Sequence, residues 1–104
     1  MDDARATKIP VVIDQELMPI IDEYLQRRWR DCAEIERLLV SGCMDGIGFL
    51  AHQLKGSGGS FGFDEISEIG EVLGHAAREP DEDGIRDAVG RLERFLACVD
   101  VEYV

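Results

Sequence analysis

An all-α fold, an antiparallel four-helix bundle behind a short N-terminal lead-in segment or helix, is the reading this 104-residue chain supports. Three observations carry it. Apolar residues recur at i, i+3 and i+4 in four separate stretches. The breaks between those stretches hold glycine or proline. No strict alternation of apolar and polar residues persists, so strands are not expected. Short connections between amphipathic helices then imply antiparallel neighbours.

Residues 1–13 form the lead-in, starting polar and ending in Ile9-Pro10-Val11-Val12-Ile13. Pro10 argues against a regular element there, and the segment is expected to tuck against the bundle of residues 14–104. Asp14 is placed as an N-cap. Beyond it Leu17, Ile20, Ile21, Tyr24, Leu25, Cys32, Ile35, Leu38 and Leu39 keep helical spacing, interrupted only by Arg28. Pro19 suits a first turn, so it divides this stretch into a short leading turn and a long helix. Ser41-Gly42 ends that helix. A second helix begins near Asp45 and closes at Gly62. Asp64 caps a third, which turns Ile66, Ile69, Leu73, Ala76 and Ala77 inward until Glu79-Pro80 stops it. The fourth runs from about Asp81 to about Val101, with Ile85, Ala88, Val89, Leu92, Phe95, Leu96 and Val99 on one face.

Composition removes several classes of function. The apolar share of 45% suits an ordinary globular core, and a chain this long buries roughly 65% of its unfolded surface without metal or disulfide staples. Eleven basic residues stand against 22 acidic ones, a net of −11, which disfavours nucleic acid as a partner. Arg27, Arg28 and Arg30 sit among acids and read as a solvated face. Cys32, Cys43 and Cys98 lack the number and spacing of a disulfide framework or zinc site, and Cys32 and Cys98 fall on apolar faces. No apolar run reaches the ~18 residues of a membrane span, so a cytoplasmic chain without membrane contact is expected.

The informative segment lies in the second helix. On a wheel of ~100° per residue, Asp45, Gly48, Phe49, Lys55, Gly56 and Gly59 fall within about 60° of His52. Ile47, Leu50, Leu54 and Phe61 fall opposite, with Ala51 at the flank. His52 therefore belongs on the solvent face, above an apolar stripe. Glycines inside a helix each cost roughly 1 kcal/mol relative to alanine. A face stripped of side chains in this way gains access, because a bulky partner meets no Cβ around the imidazole. Lys55, one turn on, is a mobile cation suited to charge developing there. Imidazole is a nucleophile in its neutral form and can accept a phosphoryl group.

Two other readings compete on spacing. Gly56, Gly58, Gly59 and Gly62 could simply terminate the helix, leaving His52 an ordinary surface residue. A phosphate-cradling loop fails, because Lys55-Gly56-Ser57-Gly58-Gly59-Ser60 places its lysine before the glycines and follows no strand. His75 lies beside Gly74 on the third helix with none of this surrounding. A His52–His75 metal pair lacks further ligands at a recognisable spacing, so no metal is expected.

Ala51-His52-Gln53-Leu54-Lys55-Gly56, followed by Gly62, Ile66, Ile69 and Leu73, resembles the A-H-x-L-K-G…G…L…L signature of histidine phosphotransfer domains. The long helix with Tyr24-Leu25 before Arg27-Arg28 and the closing amphipathic helix are also similar to that family. The resemblance implies that His52 is phosphorylated and that Lys55 assists at the phosphoryl group. It further implies that Gly56 and Gly59 admit a receiver domain, with Gly48 and the apolar anchor Phe49 on the same docking face. Such a chain carries phosphate between receivers, one of them expected on a hybrid sensor kinase. It has no nucleotide site and no cofactor of its own, Mg²⁺ being expected on the partner receiver. A non-phosphorylated helical adaptor binding a receiver or kinase is the alternative. The chain departs from the family pattern at Gly74, where a glutamate is frequent, and Gly70 with Gly74 should weaken the third helix.

Overall fold

The apolar stripe that starts at Leu17 becomes helix α1 (Met18–Ser41), with Pro19 in its first turn. Our computed structural model describes residues 8–104, so residues 1–7 of the expected lead-in lie outside the described part. Asp14 caps a short 3-10 turn, Gln15–Leu17, its carboxylate accepting from the Glu16 amide at 2.9 Å. The leading turn and the long helix thus divide where proline required it. Helix α2 spans Met44–Phe61, α3 Asp64–Arg78 and α4 Glu82–Cys98. Gly42 and Gly62 end α1 and α2 in the left-handed conformation, at φ 76° and 91°. Asp64 is the first residue of α3 rather than its cap, a position held by Phe63 with no side-chain bond. Asp81 caps α4 through the Gly84 amide at 3.0 Å.

Around one core, α1 packs on α2 and α4, and α3 packs on the same two. Phe63 sits at its centre, fully buried in the α2–α3 connection. Its ring stacks on Tyr24 at 5.8 Å and meets the edge of Phe95 at 6.2 Å. Both distances lie in the favourable range for aromatic pairs. Ile21, Ile35, Ile47, Leu54, Ile66 and Ile85 are equally buried. Each such side chain contributes ~1.5–3 kcal/mol by leaving water. Arg91 fastens α4 to α3, its Nε donating to Glu65 at 3.0 Å and another guanidinium nitrogen to Glu68.

Two findings correct the sequence reading. The chain is not purely helical: Ile9–Ile13 forms strand β1 and Val99–Tyr103 forms β2, paired in parallel with Ile9 opposite Val99 and Ile13 opposite Tyr103. Accordingly α4 stops at Cys98, three residues before the expected end. The intervening helices supply the long crossover that parallel strands require. Pro10 is accepted for a geometric reason. The Ile13 carbonyl accepts from the Val104 amide at 3.0 Å, so by period two Ile9, Val11 and Ile13 turn their backbone groups to β2. Pro10 falls on the free edge, where its missing N–H costs no ladder bond.

The second correction concerns α3. Gly70 does not merely weaken it. A Cβ there would lie 2.5 Å from the Lys55 amide nitrogen and 2.8 Å from the Ala51 carbonyl oxygen. Reciprocally, a Cβ on Gly58 would lie 2.5 Å from the Ser67 nitrogen. These two glycines let α2 and α3 touch backbone to backbone, which fixes the helix that carries His52.

Candidate functional site

Buried Ile47, Ala51, Leu54 and Gly58 seat α2 against the core. That phase leaves His52, Lys55, Gly56 and Gly59 exposed, as the wheel requires, and Gln53 beside them. The glycines on this helix divide into two kinds. Around Gly48 and Gly56 an added Cβ would meet nothing within 4 Å, and at Gly59 only the Ser67 Oγ at 3.9 Å. Packing therefore does not demand glycine at these three positions, whereas it does at Gly58. Nor do they end the helix, which continues to Phe61 and terminates at Gly62. The structure thus disfavours the terminator reading for Gly56, Gly58 and Gly59. Phe49 completes the face, an aromatic side chain 65% exposed one turn before His52.

Lys55 lies toward α3, its Nζ 3.9 Å from the Glu71 carboxylate. Both partners are more than half exposed, so the pair contributes little and leaves the ammonium free to swing. Beneath it, Ser67 donates its hydroxyl to the Lys55 carbonyl at 2.7 Å, tying α3 to the turn below His52. His75 is exposed on α3. Among the described residues no cluster of three His, Cys, Asp or Glu side chains could hold a metal, and no helix is long and apolar enough to cross a membrane.

Toward α1 the site opens into a groove of about 620 Å³ between α1 and α2. His52, Gln53 and Gly56 line one wall, and Tyr24, Arg27 and Arg28 the other. Its floor is a polar network that sequence analysis did not find. The Tyr24 and Ser57 hydroxyls are hydrogen-bonded at 2.8 Å, and Arg28 Nη1 donates to the same Ser57 oxygen at 3.2 Å. The Arg28 guanidinium lies 4.5 Å above the Tyr24 ring, and its Nε faces the Asp31 carboxylate at 2.8 Å. Burial holds the Asp31 carboxyl above its ordinary range, and the Arg28 charge offsets only part of that rise. Arg28 is therefore no part of a solvated face, unlike the exposed Arg27 and Arg30. One signal was visible: Arg28 is the sole interruption of the α1 apolar stripe. Cys32, on the same helix, is a core residue whose thiol burial pushes up to about 12, which makes it inert as a nucleophile.

Four helices that present one bare-faced histidine define a helical module built to expose an imidazole to a partner. A family model for the Hpt domain matches residues 19–100, and the chain belongs to that family. Hpt domains carry phosphoryl groups on histidine in phosphorelays of two-component signalling, and they interact with receiver domains. No curated protein and no solved structure gives a significant match.

Proposed function

We propose that this chain is the histidine phosphocarrier of a multistep phosphorelay, with His52 as the phosphorylated residue. The observation that carries this reading is the exposed imidazole among three glycines whose missing Cβ atoms would meet open space or a single 3.9 Å contact. In-line phosphoryl transfer needs chiefly positioning and charge neutralisation. A receiver's phospho-aspartate approaches over Gly56 and Gly59, with Gly48 and Phe49 in the docking face. The lone pair of an imidazole nitrogen attacks phosphorus, the bond to the aspartyl oxygen breaks to leave a carboxylate, and the ring proton passes to solvent. A second receiver's aspartate reverses the step. Lys55 offsets charge on the transferred group, and Mg²⁺ belongs to the receiver. In this reading the four helices run antiparallel, which the short connections support. The chain acts in the cytoplasm on receivers that include one of a hybrid sensor kinase, and it needs no nucleotide site.

Incubation with a phosphorylated receiver tests the assignment. Acid-labile label is expected on the wild-type chain and on His75→Gln, and none on His52→Gln. Label that persists on His52→Gln overturns the phosphosite. A wild-type chain that binds the receiver without acquiring label is an adaptor instead.

A further inference from the structure

We infer that Arg27 is a second cation for the phosphoryl group on His52, reaching it through the α1–α2 groove from the side opposite Lys55. The inference rests on the His52 assignment and adds a residue to it. Arg27 and His52 line the same groove, together with Gln53 and with Gly56, where an added Cβ would meet nothing within 4 Å. The other groove arginine is committed: Arg28 is held by Asp31, Ser57 and the Tyr24 ring. Arg27 is exposed and, among the described residues, has no carboxylate within ion-pair distance. Glu23 also lines the groove and stands one turn below Arg27 without pairing with it.

Charge gives the arrangement its purpose. A phosphoryl group adds about two negative charges at neutral pH, here to a chain already at −11. Lys55 supplies a single positive charge against those two. A guanidinium on the other flank completes a two-sided clamp and offers the planar fork that matches phosphate oxygens. Arg27 would thus act on the phosphoryl group itself rather than on the receiver, and this separates it from the docking residues.

A small donor without a docking surface distinguishes the two roles. With phosphoramidate, the donor's phosphorus–nitrogen bond breaks and a new one forms to the His52 imidazole. The ring proton leaves with the ammonia as ammonium. Initial rates of His52 phosphorylation are followed by intact mass for wild type, Arg27→Ala, Arg27→Lys and Arg30→Ala. Arg27→Ala should be slower by about five- to tenfold, as expected for a partly solvated cation at a transferring group. Arg27→Lys should recover part of that loss by keeping the charge without the fork, and Arg30→Ala, a groove-free arginine on the same helix, should match wild type. Helicity and denaturation midpoints of all variants should coincide. A wild-type rate for Arg27→Ala overturns the inference, as does equal slowing by Arg30→Ala, which would mean general charge alone. Slowing with a phosphorylated receiver but not with phosphoramidate overturns it too, and makes Arg27 a docking residue. Those outcomes leave His52 standing. Wild type labelled elsewhere than His52 defeats the phosphosite reading itself.

Discussion

Glycine at position 56 and glycine at position 58 differ in what a methyl group would meet, and that difference separates function from packing. At Gly56 the space is open, so leucine should stabilise α2 by ~0.5–1 kcal/mol, through better helix propensity. The same side chain would stand in the receiver's path. Gly56→Leu is therefore expected to raise the urea midpoint while slowing receiver-driven transfer, on the order of 100-fold for a displaced reacting geometry. Unchanged transfer would show that close approach over Gly56 is not needed. Lys55 makes a separate prediction. A cation that stabilises charge without being transformed weakens the reaction when removed but does not abolish it. Lys55→Ala should keep its label at a rate reduced about tenfold, and Lys55→Arg should regain part of the loss. Initial rates from one phosphorylated receiver measure both, and equal rates for wild type and Lys55→Ala would leave Lys55 without a chemical role.

Between elements, the α2–α3 contact controls how rigidly the nucleophile is presented. Gly70 lies against the Ala51 and Lys55 backbone, the turn that bears His52. Gly70→Ala must push the helices apart, with an expected cost of ~1–3 kcal/mol, the usual range for overpacking. Gly74→Ala is the control on the same helix. Its Cβ would meet the Ala51 methyl at an ordinary 3.5 Å, so stability should hold or rise. Chemical denaturation of the two variants decides the matter, and equal stability would remove the backbone-contact argument. Propensity alone treats these glycines as equivalent defects. Their neighbours on α2 make one of them indispensable.

Across the whole molecule, the β1–β2 pair joins the two ends of the described chain and closes the helices between them. Ile13, only 2% exposed, anchors β1 beside Gly62 at the end of α2. Ile13→Ala should cost ~2–5 kcal/mol, as for other buried isoleucines truncated to alanine. Transfer per folded molecule should remain at the wild-type rate, because Ile13 lies outside the His52 face. Loss of transfer at full folding would instead tie the strands to the site.

Local periodicity determined the helices, since burial of an apolar stripe depends on residues three and four apart in one segment. It also determined that His52 faces solvent and that Gly42, Gly62 and Pro19 set helix ends. The family to which the chain belongs was legible in the segment from Ala51 to Gly56, with Gly62 and the inward residues of α3. The strands were legible only faintly. Val99-Asp100-Val101-Glu102-Tyr103 does alternate, but over five residues continuous with a helical run, and its partner lies some ninety residues away. A strand has no partner until the chain has folded, so one segment's pattern cannot establish it. The same holds for Arg28 and for the glycines. Tertiary contact alone decided that Arg28 turns in to bond Ser57 of α2, since its other partners, Tyr24 and Asp31, stand on its own helix. It likewise decided that Gly58 and Gly70 are points of backbone contact while Gly56 is open space. Each depends on which atoms another helix brings within 4 Å, and that is a property of the packed molecule.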